Sequence, residues 1–96
     1  MKTFSKLTRL EVYSRDNARC TQCGEDEYFL LEIHHIIANT KLNRKLYGHL
    51  IQTKENGCLC CHTCHNRHSL WDGELRRQLR EEWKDEINSK TNKLTA

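Results

Sequence analysis

The sequence contains few of the residues that build a large hydrophobic core. Of its 96 residues, 36% are hydrophobic and 7% aromatic, whereas 30% are charged. No stretch approaches the roughly 18 apolar residues that a transmembrane helix requires, so a membrane span is excluded. The opening Met-Lys-Thr-Phe-Ser-Lys lacks the apolar run of a signal peptide. We therefore expect one small domain over residues 1–96, in the cytoplasm and not secreted.

Cysteine and histidine, by contrast, are abundant, with six of each. Cys20 and Cys23 form a Cys-x-x-Cys pair that is followed by Gly24, and Cys61 and Cys64 form a second pair. Two such pairs on one small chain indicate a tetrahedral structural zinc site, because each pair can place two thiolates on the metal. A chain with a small core also needs such a cross-link.

Other interpretations of the cysteines stay open at this point. An even number of cysteines fits a disulfide scaffold, although the close pairing and the missing signal peptide speak against it. Cys58 and Cys61 have the same spacing as the second pair, while Cys58 and Cys60 fit two small buried thiols on one strand face. A redox role is disfavoured because no βαβ pattern surrounds either pair.

Apolar periodicity predicts three helices. The segment 5–15 contains neither glycine nor proline, and a second helix is expected to begin within 62–70. The last helix is predicted over about 72–88, where an apolar residue recurs every four positions. The residues close to one face of the first helix are Leu7, Leu10 and Tyr13, and those of the last stripe are Leu75, Leu79, Trp83 and Ile87.

Two strands and one long loop are predicted between these helices. Residues 29–37 are rich in β-branched and aromatic side chains, and 56–61 form a second short strand. Residues 38–54 are predicted to be a loop without acidic residues, and a loop of that length in a small domain is usually functional or mobile. Its basic residues are Lys41, Arg44, Lys45 and Lys54.

The polar residues around the second cysteine pair follow a known order. A His-His pair lies on the first predicted strand, an asparagine stands five residues before the first cysteine of the second pair, and a histidine directly follows that pair. These residues are His34, His35, Asn56 and His65. Together with the Cys-x-x-Cys-Gly of the first pair, this order over about residues 9–70 resembles the HNH endonucleases, whose core is a ββα-metal fold. Arg15, Asp16 and Ile36 are also similar to the family.

The resemblance implies a small α+β domain that hydrolyses DNA phosphodiester bonds, by nicking or by double-strand cleavage. It implies a structural zinc on the four cysteines of the two pairs and favours Cys61 over Cys58 as a ligand. It also implies a second, catalytic divalent metal, for which Mg²⁺, Mn²⁺, Ni²⁺ and Zn²⁺ are the candidates. Compact members of this family occur in bacteria and their phages, so a bacterial or phage-infected cell is the expected setting.

The family pattern also implies roles for individual residues. His34 and His65 are expected to hold the catalytic metal and His35 to act as general base. The Asn56 amide can bridge backbone groups or reach the metal with its oxygen, and the family implies the positioning role. His68 shares a helix face with His65 and is a candidate further ligand. These roles make chemical sense, since phosphodiester hydrolysis needs a base for water and a metal for the leaving oxygen. Neighbouring strand residues face opposite sides, so two adjacent histidines cannot share one role.

Each of these histidines also has a simpler interpretation. The pair on the strand fits two half-buried strand residues, His65 fits a zinc ligand in place of a cysteine, and His68 fits an ordinary surface side chain. Asn56 followed by Gly57 also fits a turn. A non-catalytic zinc-knuckle module that binds nucleic acid or a protein is the alternative function, but such a module does not require the histidines.

The distribution of positive charge favours DNA as the partner. The net charge is +3, and basic side chains can hold phosphates without reading bases. The predicted DNA-binding residues are Lys41, Arg44, Lys45 and Arg67. A further basic group on the last helix either adds to this surface or pairs with acidic residues of the same helix. That group is Arg76, Arg77 and Arg80, and its predicted partners are Glu81, Glu82 and Asp85.

Overall fold

The structure is a computed structural model that describes residues 3–88. Its α-helices and strands are α1 (Lys6–Arg15), β1 (Leu31–His35), α2 (Lys41–Tyr47), β2 (Gly57–Cys61), α3 (His62–Asn66) and α4 (Asp72–Glu82). Short 3₁₀ helices span Tyr28–Leu30, Gly48–Gln52, Lys54–Asn56 and His68–Leu70. The chain is therefore a small α+β domain, as predicted. Within the described range, no helix has both the length and the apolar character needed to cross a membrane.

The two strands form an antiparallel sheet that leads directly into α3. Leu31 lies opposite Cys61 at one end of the sheet, and His35 lies opposite Gly57 at the other. The helix begins immediately after β2 because the Cys61 Sγ atom accepts a hydrogen bond from the Cys64 backbone N–H at 3.4 Å. This arrangement places two cysteines at the junction between sheet and helix.

The first strand is shorter than the predicted range of 29–37. Tyr28–Leu30 forms a turn of 3₁₀ helix, so pairing with β2 begins only at Leu31. At the other end, Ile36 and Ile37 leave the strand and enter the hydrophobic core. Apolar content alone does not distinguish a paired strand from a buried turn.

The helix α1 packs on the sheet through a different face from the one the sequence indicates. Leu7 and Leu10 are 69% and 59% exposed, whereas Val12 is fully buried. Val12 lies against Gly57, where an added Cβ atom would come within 2.9 Å of the Val12 Cγ2 atom. The absence of a side chain at Gly57 thus allows α1 to approach the sheet closely.

The C-terminal end of α1 is bonded to the second strand by an arginine–aspartate pair. The Arg15 guanidinium donates to the backbone oxygens of Lys54 and Gly57 at 2.8 and 2.6 Å. The same guanidinium pairs with the carboxylate of Asp16, whose Oδ2 atom accepts from the Leu59 N–H at 3.0 Å. These bonds fix the chain direction just before the first cysteine pair.

The prediction of a loop over 38–54 is wrong. Most of this segment is α2 followed by 3₁₀ turns. The Thr40 side chain caps α2 by accepting a hydrogen bond from the Asn43 N–H at 3.1 Å. Tyr47 and Ile51 are buried in the core and hold the segment against the rest of the domain. A threonine N-cap was the local sequence signal for this helix.

The last predicted helix is interrupted. The helix α4 ends at Glu82, Trp83 has non-helical backbone angles, and helical structure resumes over 84–88. The predicted apolar stripe is nevertheless the buried side, since Leu79 and Trp83 are buried in the core, with Leu75 and Ile87 packed against it. The Trp83 ring lies 5.8 Å from the Tyr47 ring, centroid to centroid, so α4 covers the α2 segment.

Candidate metal centres

Four cysteines from the two predicted pairs come together and are called the cysteine cluster below: Cys20, Cys23, Cys61 and Cys64. Their Sγ atoms all lie within 4.8 Å of one another. The Sγ atoms of Cys23 and Cys61 are 3.6 Å apart, while thiolates on a tetrahedral zinc with bonds of about 2.3 Å lie about 3.8 Å apart. The cluster therefore has the donor atoms and the size to hold a metal ion such as zinc.

The local backbone explains why Cys20 can serve as a ligand. Gly24 adopts a left-handed conformation (φ +82°), and its N–H donates to the Cys20 carbonyl at 2.9 Å, which closes the first turn. Burial raises the pKa of Cys20, but hydrogen bonds from the backbone of Cys61, Gln22 and Cys23 outweigh burial and lower that pKa to about 6. A thiolate is the form that binds metal.

The two other cysteines lie outside the cysteine cluster. Cys58 and Cys60 are buried in the hydrophobic core, and burial raises the pKa of both thiols. The Cys58 Sγ atom lies 3.0 Å from the Thr21 hydroxyl oxygen. Their positions favour packing roles, and Cys58 does not replace Cys64 as the partner of Cys61.

A second group of potential ligands, the histidine–aspartate cluster, consists of His34, His68 and Asp72. The Asp72 Oδ2 atom lies 2.9 Å from His34 Nε2 and 2.9 Å from His68 Nδ1. Around a divalent metal with bonds of about 2.1 Å, neighbouring ligand atoms lie about 3.0–3.4 Å apart. The three side chains therefore need little movement to share one metal ion.

Asp72 is the site residue that the sequence analysis missed. Its side chain is 2% exposed, and its Oδ1 atom accepts from the Arg76 guanidinium at 2.6 Å. Burial raises the pKa of Asp72, but hydrogen bonds from Arg76, His34 and His68 lower it to about 2, so the group is a carboxylate. Asp72 follows His68 by four residues, across the junction between the 3₁₀ helix His68–Leu70 and α4, and this spacing was the available signal.

The predicted pairing of the α4 arginines needs correction. Arg76 bonds to Asp72 and Arg77 to Glu74, both N-terminal to the arginine, instead of to the acidic residues that follow. Arg76 is thus part of the support of the histidine–aspartate cluster. Arg80 lies exposed on the same helix.

His65 lies beside the histidine–aspartate cluster. Its ring centroid is 5.0 Å from that of His34, which is buried. The His65 Nδ1 atom lies 3.5 Å from a Glu32 carboxylate oxygen, and the other oxygen accepts from His62 Nδ1 at 2.9 Å. Glu32 precedes His34 by two residues and so shares its strand face. A carboxylate behind a histidine is a common way of orienting a metal ligand.

His35 faces the opposite side of the sheet, as strand alternation predicts. Its ring stacks on Phe4 at a centroid distance of 4.0 Å, and its Nε2 atom lies 2.9 Å from the Gln52 side-chain oxygen. Burial lowers the pKa of both His34 and His35, and a single hydrogen-bond partner for each opposes the shift. Both rings are therefore neutral at neutral pH, as a ligand and a proton acceptor must be.

Asn56 is fully buried and bonds only to backbone groups. Its Oδ1 atom accepts from the Ile37 N–H at 2.7 Å, and its Nδ2 atom donates to the carbonyls of Ile37 and Ile51 at 3.0 and 2.9 Å. Asn56 therefore joins the two ends of the segment that contains α2. This geometry agrees with a positioning role and not with direct metal contact.

Replacing Asn56 with alanine is expected to lower the free energy of unfolding by about 3 kcal/mol, because three buried backbone groups lose their partner. Urea unfolding followed by circular dichroism measures this loss. Asn66→Ala, at an exposed helix position, is the matched control and should change stability by less than about 0.5 kcal/mol. Equal losses for both variants would show that the Asn56 hydrogen bonds stabilise the fold no more than an exposed side chain does.

The predicted DNA-contacting residues are all exposed. Lys41, Arg44 and Lys45 lie on one face of α2, and Arg67 follows α3. Lys54, by contrast, lies 3.6 Å from Glu11 in an ion pair.

Comparison of the chain with protein-family models, curated proteins and solved structures finds no match in any of the three.

Proposed function

We propose that this protein is a metal-dependent HNH endonuclease that hydrolyses DNA phosphodiester bonds. The observation that carries the proposal is the histidine–aspartate cluster with His65 beside it. A simple zinc knuckle has no need of these imidazoles. His34 lies on β1, His65 on α3 and His68 on the 3₁₀ helix that follows. Two residues of the cysteine cluster, Cys61 and Cys64, lie at the start of α3.

In this proposal, metal binding and proton transfer are assigned to opposite faces of β1. His34 and His65 hold a divalent metal, with His68 and Asp72 available to complete the ligand set. A metal held by these residues would supply neutralisation of charge on the phosphate and on the leaving oxygen. The neutral ring of His35 accepts a proton from the attacking water. Because His35 ends the strand, a phosphate has to reach both faces at that end of β1.

The proposed DNA-binding surface is the basic face of α2. The helix contains no acidic residue. Arg44 donates from one guanidinium nitrogen to the backbone and side-chain oxygens of Asn39 at 3.1 and 2.9 Å, and its other N–H groups and the two lysines can contact phosphates. Asn56 fixes both ends of this segment next to the end of β1. A backbone held by α2 would thus lie next to the strand end that carries the histidine pair.

Binding to DNA is expected to weaken steeply with salt, with a slope of about −0.9 in log K against log salt for each phosphate contacted. The double variant Arg44→Ala/Lys45→Ala should flatten that slope by up to about 1.8 without changing sequence preference. Arg77→Ala/Arg80→Ala removes the same charge from α4 and is the control. An unchanged slope in the α2 variant would place the DNA surface elsewhere.

The proposed activity is tested with supercoiled plasmid and Mg²⁺, Mn²⁺ or Ni²⁺, each compared with a reaction lacking added metal. Appearance of nicked or linear plasmid only with metal is the expected result. A protein that contains zinc and binds the plasmid but never cuts it with any of these ions is instead the non-catalytic zinc-knuckle module.

A further inference from the structure

A groove lies between α1 and β1, on the sheet face opposite the histidine–aspartate cluster. Its volume is about 400 Å³, within the range of about 300–1,000 Å³ that is typical of ligand sites. The side chains that matter here are Phe4, Arg9, Tyr13, Tyr28 and His35, which all line the groove. We call it the α1 groove.

Aromatic rings form much of the α1 groove. The rings of Tyr13 and Tyr28 lie 5.9 Å apart, centroid to centroid, and are tilted by 36°. Phe4 and His35 form a second, stacked pair with ring planes only 11° apart. Tyr28 is 68% exposed, so most of its surface is free for a ligand. Aromatic rings arranged in this way suit the flat face of a nucleobase.

Positive charge lies along one side of the same groove. Arg9 lines the groove, and Lys6, three residues earlier on α1, lies on the same helix face just outside the lining. On the other side, acidic residues 25–27 directly precede Tyr28 in the sequence. The charges therefore favour a phosphate next to Lys6 and Arg9, with the base turned toward the tyrosines.

We propose that the α1 groove binds an unpaired nucleobase of single-stranded DNA, with the adjoining phosphate held by Lys6 and Arg9. The bases of a duplex have their faces covered by their neighbours, so only an unstacked base can lie on the exposed ring of Tyr28. The inference rests on the proposed function, because His35, the proposed general base, lines the groove. It adds a substrate class, DNA that contains an unpaired segment.

The test measures binding without cleavage. Fluorescence anisotropy, with no divalent metal added, compares a labelled single strand, the same strand with abasic sites, and the matching duplex. The single strand should bind more tightly than the abasic strand. Tyr28→Ala should weaken binding of the intact strand by between about fivefold and about 100-fold, leave the abasic strand and the duplex unchanged, and keep the zinc content. Tyr28→Phe should retain the affinity because it retains the ring.

Phe29→Ala is the control, since Phe29 is a neighbouring ring that is 88% exposed and lies outside the groove lining. Its edge contacts the Tyr28 ring at a centroid distance of 6.2 Å, so a loss much smaller than that of Tyr28→Ala is expected. Equal losses for Phe29→Ala and Tyr28→Ala, or equal binding of intact and abasic strands, would overturn the inference. A change of oligomeric state in Tyr28→Ala with unchanged affinity for the single strand would also overturn it, since the groove would then be a protein interface.

The same measurements separate this inference from the proposed function. If the wild-type protein binds the intact strand through Tyr28 but never cuts DNA, the proposed base-binding role of the α1 groove is supported and the proposed nuclease activity is rejected. If the wild-type protein cuts plasmid and Tyr28→Ala binds every DNA as tightly as wild type does, the proposed nuclease activity is supported and the proposed role of the α1 groove is rejected.

Discussion

Replacing Cys20 with serine is expected to abolish zinc binding and to leave the chain unfolded at room temperature. The cysteine cluster joins the loop before β1 to the start of α3, and the apolar core of this chain is small. A structural zinc contributes about 10–16 kcal/mol of apparent binding free energy in small domains. The net stability of a whole domain is only about 5–15 kcal/mol. Elemental analysis for zinc and far-UV circular dichroism measure the two effects.

Cys58→Ser is the matched control for this prediction. Cys58 is buried and outside the cysteine cluster, and a serine hydroxyl can keep the contact with Thr21. We expect this variant to retain its zinc and its fold, with a loss of about 1–3 kcal/mol in the free energy of unfolding. Wild-type protein purified without zinc, or equal damage from both substitutions, would rule out the cysteine cluster as the structural zinc site.

His35→Ala is expected to lower the rate of DNA cleavage by at least about 10²–10⁴-fold, the usual contribution of a general base. Zinc content should stay at the wild-type level because His35 belongs to neither ligand cluster, and duplex binding should also stay because the duplex contacts are proposed for α2. Plasmid nicking rates at saturating Mn²⁺ or Ni²⁺ measure the loss. His49→Ala, at an exposed position after α2, is the histidine control and should cut normally.

Substitution of a metal ligand should behave differently. His34→Ala and His65→Ala remove metal affinity, so a higher concentration of Mn²⁺ or Ni²⁺ should restore part of the activity by mass action. No concentration of metal replaces a missing proton acceptor. If excess metal rescues His35→Ala and leaves His34→Ala inactive, the roles of the two histidines are exchanged.

Asp72 adds a further comparison that follows from the structure alone. Asp72→Asn keeps the size of the side chain but removes the negative charge that faces His34 and His68. If Asp72 is a ligand or holds one, this variant should group with His34→Ala, needing more metal for the same rate. If the cleavage rate of Asp72→Asn depends on metal concentration as that of the wild type does, the role of Asp72 is only its ion pair with Arg76.

The sequence by itself determined the parts of this protein that depend on short-range spacing. The four cysteines of the cluster were predicted from two Cys-x-x-Cys pairs because two ligands three residues apart can share one metal through local backbone geometry. The first strand was found from its β-branched and aromatic residues, the first helix from a segment without glycine or proline, and the apolar stripe of the last helix from its period of about four residues. All of these are local properties of the sequence. The opposite orientation of His34 and His35 also follows from strand alternation.

Only the tertiary structure decided which distant groups meet. Asp72 contacts His34 across 38 residues of sequence, and Glu32 on β1 lies beside His65 on α3. Local spacing relates Asp72 only to His68 and Glu32 only to His34, so neither long-range contact follows from it. The helix α2 was missed because its cap, Thr40, is a weak local signal and its stability comes from packing of Tyr47 against Trp83. Leu7 and Leu10 are exposed because the position of α1 is set by Arg15, Asp16 and the space at Gly57. Contacts between residues far apart in sequence depend on how the elements pack, and no local pattern encodes that.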